Sequence, residues 1–133
     1  MTYLLDTNTC IKYLNGRSEK IRQHLEAKRP QDILLCSVVK AELFYGVMKS
    51  ANPEKNLAKL DLFADRFVSL LFDDNAAAAY GRIRAELEKA GTPIGPNDLL
   101  IAAIAVANDV TLVTNNTREF SRVNGLKFED WEI

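Results

Sequence analysis

Apolar residues in this chain fall into short runs separated by longer stretches of helical spacing. The first run, Tyr3-Leu4-Leu5, is bounded by polar residues and reads as a buried strand that stops on a carboxylate, Asp6. Cys10 to Leu14 then give a short helix that ends at the turn signal Asn15-Gly16. From Ser18 to Lys28 only Ile21 and Leu25 are apolar at i, i+4 among charged neighbours, which predicts a largely exposed helix capped by Ser18 and stopped before Pro30. Ile33 to Cys36 repeats the strand pattern, and Ser37 stands as N-cap for a helix to about Ser50. Val38, Val39, Ala41, Leu43, Phe44, Val47 and Met48 surround most of that helix, so burial on more than one side is expected, with Glu42 in its middle.

Ala51-Asn52-Pro53 breaks this helix, and Pro53-Glu54 opens another in which Leu57, Leu60, Phe63, Ala64 and Phe67 keep a 3.6-residue period. The two make a helical hairpin. Val68 to Phe72 is a third strand, closed by Asp73-Asp74-Asn75, and Ala76 to Ala90 is a helix ended by Gly91 and Pro93. A Gly- and Pro-rich loop leads to Asn97-Asp98 and then to an Ala-rich apolar helix, Leu99 to Ala107, whose small residues allow tight packing. Thr111 to Val113 is the fourth strand, Asn116 to Arg122 a short helix, and Leu126 to Glu129 a fifth, edge strand. Alternating strands and helices imply an α/β protein: a three-layer α/β/α fold around a central parallel sheet of four to five strands, with residues 1–133 as one domain. The loops at the carboxyl ends of such strands share one rim, where ligands bind.

Composition narrows the picture. A content of 47% hydrophobic and 26% charged residues is ordinary for a globular protein, and no apolar run approaches the roughly 20 residues of a membrane span. The N-terminus has no basic segment followed by a hydrophobic one, so a cytoplasmic protein without membrane contact is expected. Cys10 and Cys36 belong to no CxxC or Cys/His set and read as core residues. With a net charge of −1, any contact with nucleic acid must be local.

Three acids stand where the predicted rim would gather them: Asp6 after the first strand, Glu42 in the second turn of the helix leaving the second strand, and Asp98 before the fourth. Each has a structural explanation, as a cap, a partner for a helix dipole or a surface residue. Yet the helical neighbours of Glu42 are Val38, Val39, Tyr45 and Gly46, with no cation among them, and Asp98 has Ile101 and Ala102. Clustered carboxylates in apolar surroundings are costly unless compensated, and a divalent cation would compensate them. Oxygen ligands without His or Cys suit Mg²⁺ or Mn²⁺, ions that serve phosphate-ester hydrolysis.

In order and spacing, four stretches covering nearly the whole chain resemble a PIN domain, and within that superfamily a VapC-type toxin ribonuclease of a toxin–antitoxin pair. They are Leu4-Leu5-Asp6-Thr7-Asn8, Ser37 to Gly46 around Glu42, Gly95-Pro96-Asn97-Asp98 through Ala103, and Leu112-Val113-Thr114-Asn115-Asn116 with Phe120 and Gly125-Leu126. The resemblance implies an Mg²⁺-dependent endoribonuclease, with Mn²⁺ as a substitute and Asp6, Glu42 and Asp98 as metal ligands. It implies cleavage of structured RNA, above all transfer RNA in the anticodon region, with arrest of translation and growth. It further implies a homodimer and a cognate VapB-type antitoxin. The receiving surface expected for that antitoxin is the hairpin carrying Phe44, Tyr45, Met48, Leu57, Leu60 and Phe63. A fourth acid of the family pattern is replaced here by Asn116, with Glu119 one turn on as substitute; the same pair has the spacing of a capping box. Thr114 is placed to hold a ligand or an attacking water. Arg82, Arg84, Arg118 and Arg122 are candidates for phosphate contact.

Three other readings compete. A phosphoacceptor receiver-like signalling domain would use Asp73 and Thr114, but needs a Lys after its last strand, where this chain has Phe128-Glu129-Asp130-Trp131. A haloacid-dehalogenase-type phosphatase needs Asp-x-Asp, and Asn8 occupies the second position. A catalytically inactive RNA-binding PIN module would lack the metal-binding acids.

Overall fold

The computed structural model describes residues 1–133, and its architecture is set by five short strands that pair in parallel throughout. They are β1 (Tyr3–Leu5), β2 (Ile33–Cys36), β3 (Val68–Leu70), β4 (Thr111–Val113) and β5 (Lys127–Glu129), in the spatial order β3-β2-β1-β4-β5. Seven helices connect them: α1 (Thr7–Leu14), α2 (Glu19–Glu26), α3 (Ser37–Met48), α4 (Pro53–Ala64), α5 (Asp74–Lys89), α6 (Pro96–Ala107) and α7 (Thr117–Phe120). Every residue of β2 and of β4 is buried although alternate side chains point to opposite faces, so both faces of the sheet are covered. The three-layer α/β/α fold with a parallel sheet is as expected.

Strand order reverses at β1, which pairs with β2 through Tyr3 opposite Ile33 and with β4 through Tyr3 opposite Thr111. A reversal of this kind opens a crevice at the carboxyl ends of the strands, and Asp6 stands at its head. The Asp6 amide extends the ladder by donating to the Val113 carbonyl at 3.0 Å, and the Thr114 amide likewise donates to the Glu129 carbonyl at 2.9 Å. Below the crevice, α6 is buried around most of its circumference, from Leu99 through Ala105, and α5 packs along it.

Several expectations are corrected. Ser37 is the first residue of α3 rather than its cap; Cys36 holds the cap position and contributes no side-chain bond. Helix α3 buries only Val39 and Leu43, an i, i+4 stripe, whereas Phe44, Tyr45 and Met48 are exposed. An apolar count cannot say whether such residues meet their own fold or something outside it. Strand β3 stops at Leu70 because its partner strand β2 ends at Cys36, leaving Leu71 and Phe72 exposed. Helix α5 starts at Asp74, with the Asp73 carboxylate accepting the Ala76 amide as its N-cap at 3.0 Å. Ser18 caps α2 as expected, α2 buries only Ile21 and Leu25, and β3 is an edge strand as well as β5.

Candidate active site at the head of the central strands

Asp6 is held by two neighbouring strands and capped into place. Its Oδ1 accepts the Thr9 amide at 2.8 Å, so it is indeed the N-cap of α1, yet its side chain is only 6% exposed and faces the crevice head. The Thr9 hydroxyl donates to the Val113 carbonyl at 3.3 Å, and the Thr9 and Thr114 side chains lie close enough to Asp6 to favour its charged form. Burial, reinforced by the nearby charge of Glu42, still holds its pKa above the ordinary value, against these effects. Thr114, at the end of β4, is 1% exposed, and its oxygen accepts the Asn116 amide at 3.0 Å.

Glu42 comes in from α3 and is held at both oxygens. The Thr7 hydroxyl donates to Oε1 at 2.6 Å and the Asn97 amide to Oε2 at 3.3 Å. Thr7 follows Asp6 and Asn97 precedes Asp98, so each holder of Glu42 is the sequence neighbour of another acid. Neither holder was singled out in the sequence, although both lie inside the stretches that carry the family pattern.

Asp98 lies in the first turn of α6, a position that ordinarily favours a carboxylate. Its pKa is nonetheless pushed up to about 6, first by burial, then by the charge of Glu119 and a bond shared with it, and then by Asp6 and Glu42. Glu119 moves the other way. Its Oε1 accepts the Gly95 amide at 2.6 Å, its Oε2 accepts the Asn116 side-chain amide at 2.6 Å, and these bonds lower its pKa. As pH falls, Asp98 therefore takes up a proton before Glu119 does. The Asn116 side chain donates to Asp98 as well, at 3.4 Å, and makes no capping bond to α7. The capping-box alternative is thus not the geometry adopted.

The four acids share one electrostatic field, yet none is in an ion pair. No three of the chain's His, Cys, Asp or Glu side chains lie at finished ligand spacing. The donor chemistry nevertheless fits a hard divalent cation: carboxylate oxygens from four separate elements, mutually repelling and without a neutralising Lys or Arg in contact. Other candidates lie elsewhere. Asp73 caps α5 after the edge strand β3, two strands removed from Asp6, which leaves the receiver-like pocket unassembled. Arg82 and Arg84 form exposed i, i+4 pairs with Glu86 and Glu88, and Arg122 donates to the Pro93 carbonyl at 3.3 Å. Cys10 and Cys36 are buried free thiols in the core.

The raised pKa of Asp98 carries a prediction for the metal-free protein. In the unfolded chain this carboxyl titrates near 3.8, and in the fold near 6, so between those values the folded state binds the extra proton. Its stabilising contribution is full below about pH 4 and is lost as pH rises through 6. Asp6, shifted in the same direction, acts with the same sign. In EDTA the protein should therefore lose melting temperature between pH 5 and pH 7 relative to Asp98→Asn, in which the dependence is flatter. Parallel curves for the two proteins would refute the coupling.

The profile of the PIN domain family matches residues 3–126. The chain is 44% identical over 133 residues to ribonuclease VapC2 of Rickettsia felis, covering 99% of each. It is 42% identical over 131 residues to the tRNA(fMet)-specific endonuclease VapC of Salmonella typhimurium, covering 98% of each. Among solved structures, VapBC2 from Rickettsia felis bound to a DNA fragment from its promoter superimposes with a TM-score of 0.92 at 43% identity, over 98% of this chain and 99% of that one.

Proposed function

Because the chain belongs to the PIN domain family, we propose that it is a metal-dependent endoribonuclease, the toxin of a VapBC-type pair that cuts structured RNA and so stops translation and growth. The observation that carries this reading is the group of carboxylates, none in an ion pair, at the head of β1 and β4, with Asp98 raised to about 6 by burial and by its acidic neighbours. Asp6, Glu42 and Asp98 would hold an Mg²⁺ ion, for which Mn²⁺ could substitute, and Glu119 takes the place of the missing fourth acid. When bound, such an ion lowers the pKa of water and stabilises the charge that develops on phosphate.

The chain's own residues supply the setting. Thr7 and Asn97 fix the direction of Glu42, while Gly95 and Asn116 fix Glu119. Buried Thr114 lies beside Asp6 and favours its charged form. Transfer RNA is the proposed substrate, with the anticodon region as the cut site, since the Salmonella relative is named for a transfer RNA and single-stranded loops are the usual targets of sequence-specific RNA recognition.

The proposed partner is a VapB-type antitoxin, as in the Rickettsia complex. Its apolar segment would fill the groove of about 260 Å³ between α1, α3 and α4, lined by Ile11, Leu14, Leu43, Val47 and Leu60. That refines the expected hairpin surface, since Phe63 is buried within the protein and Tyr45 faces a different cleft. A homodimer working in the cytoplasm completes the proposal.

Sequencing the RNA ends made by the purified protein in Mg²⁺ tests the function. One or a few transfer RNAs cut at a fixed position are expected, with Glu119→Gln reducing cleavage at least tenfold in the way Asp98→Asn does. Bulk RNA broken without preference would overturn the specific target, and intact RNA would overturn the nuclease.

A further inference from the structure

Helix α3 presents one stripe to the acid site whose chemistry has not yet been used. Glu42, Tyr45 and Lys49 follow i, i+3, i+7 and so lie along one face of the helix, spanning about 10 Å. All three line an open cleft of about 780 Å³ that also takes in Thr7, Asn8 and Asn97. Tyr45 is 66% exposed. The Lys49 ammonium lies 4.8 Å from its ring centroid, and no other aromatic ring stacks on it. Along α3 the cleft therefore carries carboxylate, aromatic ring and cation, with Asn8 and Asn97 also in its lining. Ile11, Val38, Ala41 and Leu100 give the same cleft an apolar lining beside the two amides and the ammonium. A single-stranded polynucleotide finds a stacking surface for a base and a cation for a phosphate, at one helical turn from the acids.

We propose that Tyr45 and Lys49 form a nucleotide subsite beside the cleavage centre, in which the Tyr45 ring stacks on a base of single-stranded RNA and Lys49 contacts the adjoining phosphate. This rests on the ribonuclease reading above and adds to it the residues that seat the strand. Stacking on one ring tolerates any base, so the subsite contributes affinity and register, while base identity is read elsewhere. Lys49 leaves the ring face when a base arrives, and its flexible stem reaches the phosphate without backbone movement.

The test measures binding apart from cutting. A fluorescein-labelled single-stranded oligoribonucleotide is titrated in Mg²⁺ with the Asp6→Asn protein, alone and combined with Tyr45→Ala, Tyr45→Trp or Lys49→Ala. Tyr45→Ala should weaken binding about tenfold or more, Tyr45→Trp should retain it, and an abasic oligomer should bind alike to the Asp6→Asn protein and to both Tyr45 combinations. Lys49→Ala should reduce the slope of log affinity against log salt by about 0.7. Because Tyr45 is largely exposed, unchanged melting temperatures are expected and show that folding is not the cause. Equal RNA affinity with and without the Tyr45 ring overturns the subsite, as does loss of antitoxin binding or of the dimer with RNA binding unchanged. RNA cleavage by the parent protein, measured in parallel, separates these outcomes from failure of the ribonuclease reading itself.

Discussion

Asp6→Asn should leave a folded protein that no longer cuts RNA, with cleavage lowered by orders of magnitude and growth inhibition abolished. Two roles meet in this side chain, and the substitution separates them. As the N-cap of α1, Asp6 accepts the Thr9 amide, a task that Asn performs about as well. As one of four carboxylates in a shared field, it supplies a charge that a hard cation needs and that an amide lacks. Removing that charge relieves repulsion on Asp98 and Glu42, so the variant in EDTA should melt at or above the temperature of the parent. Added Mg²⁺ should then stabilise the parent more than the variant. RNA cleavage in Mg²⁺ beside melting curves in EDTA gives both answers at once. A folded variant that cuts near the parental rate would sink the proposed chemistry.

The largest loss of stability is expected from a residue far from the acids, Trp131. Its ring is 2% exposed and stacks on His24 at 5.1 Å with planes 9° apart, while Tyr3 meets its edge at 5.4 Å. The Lys28 ammonium lies 4.6 Å from the ring, and the indole N–H donates to Glu129 at 3.1 Å. Trp131→Ala removes a large buried side chain from between β1, α2 and the segment after β5, at a cost of about 3–5 kcal/mol. For a domain of this size that lowers the melting temperature by roughly 10–15 °C. Trp131→Phe, which keeps the apolar ring but loses the indole donor, should recover more than half of the loss. Urea or thermal unfolding followed by circular dichroism decides it, and a shift of only a degree or two would mean that the last residues fray independently of the core.

Strands β1 and β2 were legible as short apolar runs closed by polar residues, and the alternation of strands with helical periods leaves few arrangements other than a parallel sheet. Asp6 stands out as the carboxylate that ends the first strand, and Glu42 and Asp98 as acids with no cation within reach along their own helices. What the sequence could not convey depends on contacts between distant segments. The exposure of Phe44, Tyr45 and Met48 depends on which face of α3 meets the sheet, and the burial of Trp131 on a return of the chain to β1 that no local pattern announces. Asn116 and Glu119 have capping-box spacing, but the Gly95 amide and Asp98, both distant in sequence, compete successfully for their side chains. Thr7 and Asn97 passed unnoticed because a hydroxyl and an amide acquire a role only once Glu42 is brought between them.

The reversal of strand order at β1 also governs when during synthesis the acid group can form. Its first strand leaves the ribosome early, but Tyr3 cannot complete its place in the sheet until Thr111 emerges to pair with it. Thr114, Asn116 and Glu119, which orient or extend the acid group, emerge later still, and Trp131 returns to Tyr3 and His24 only at the end. A nascent or truncated chain can carry Asp6 and Glu42 without assembling the pocket. Synthesis itself thus delays the assembly of the acid group until nearly all of the polypeptide has been made.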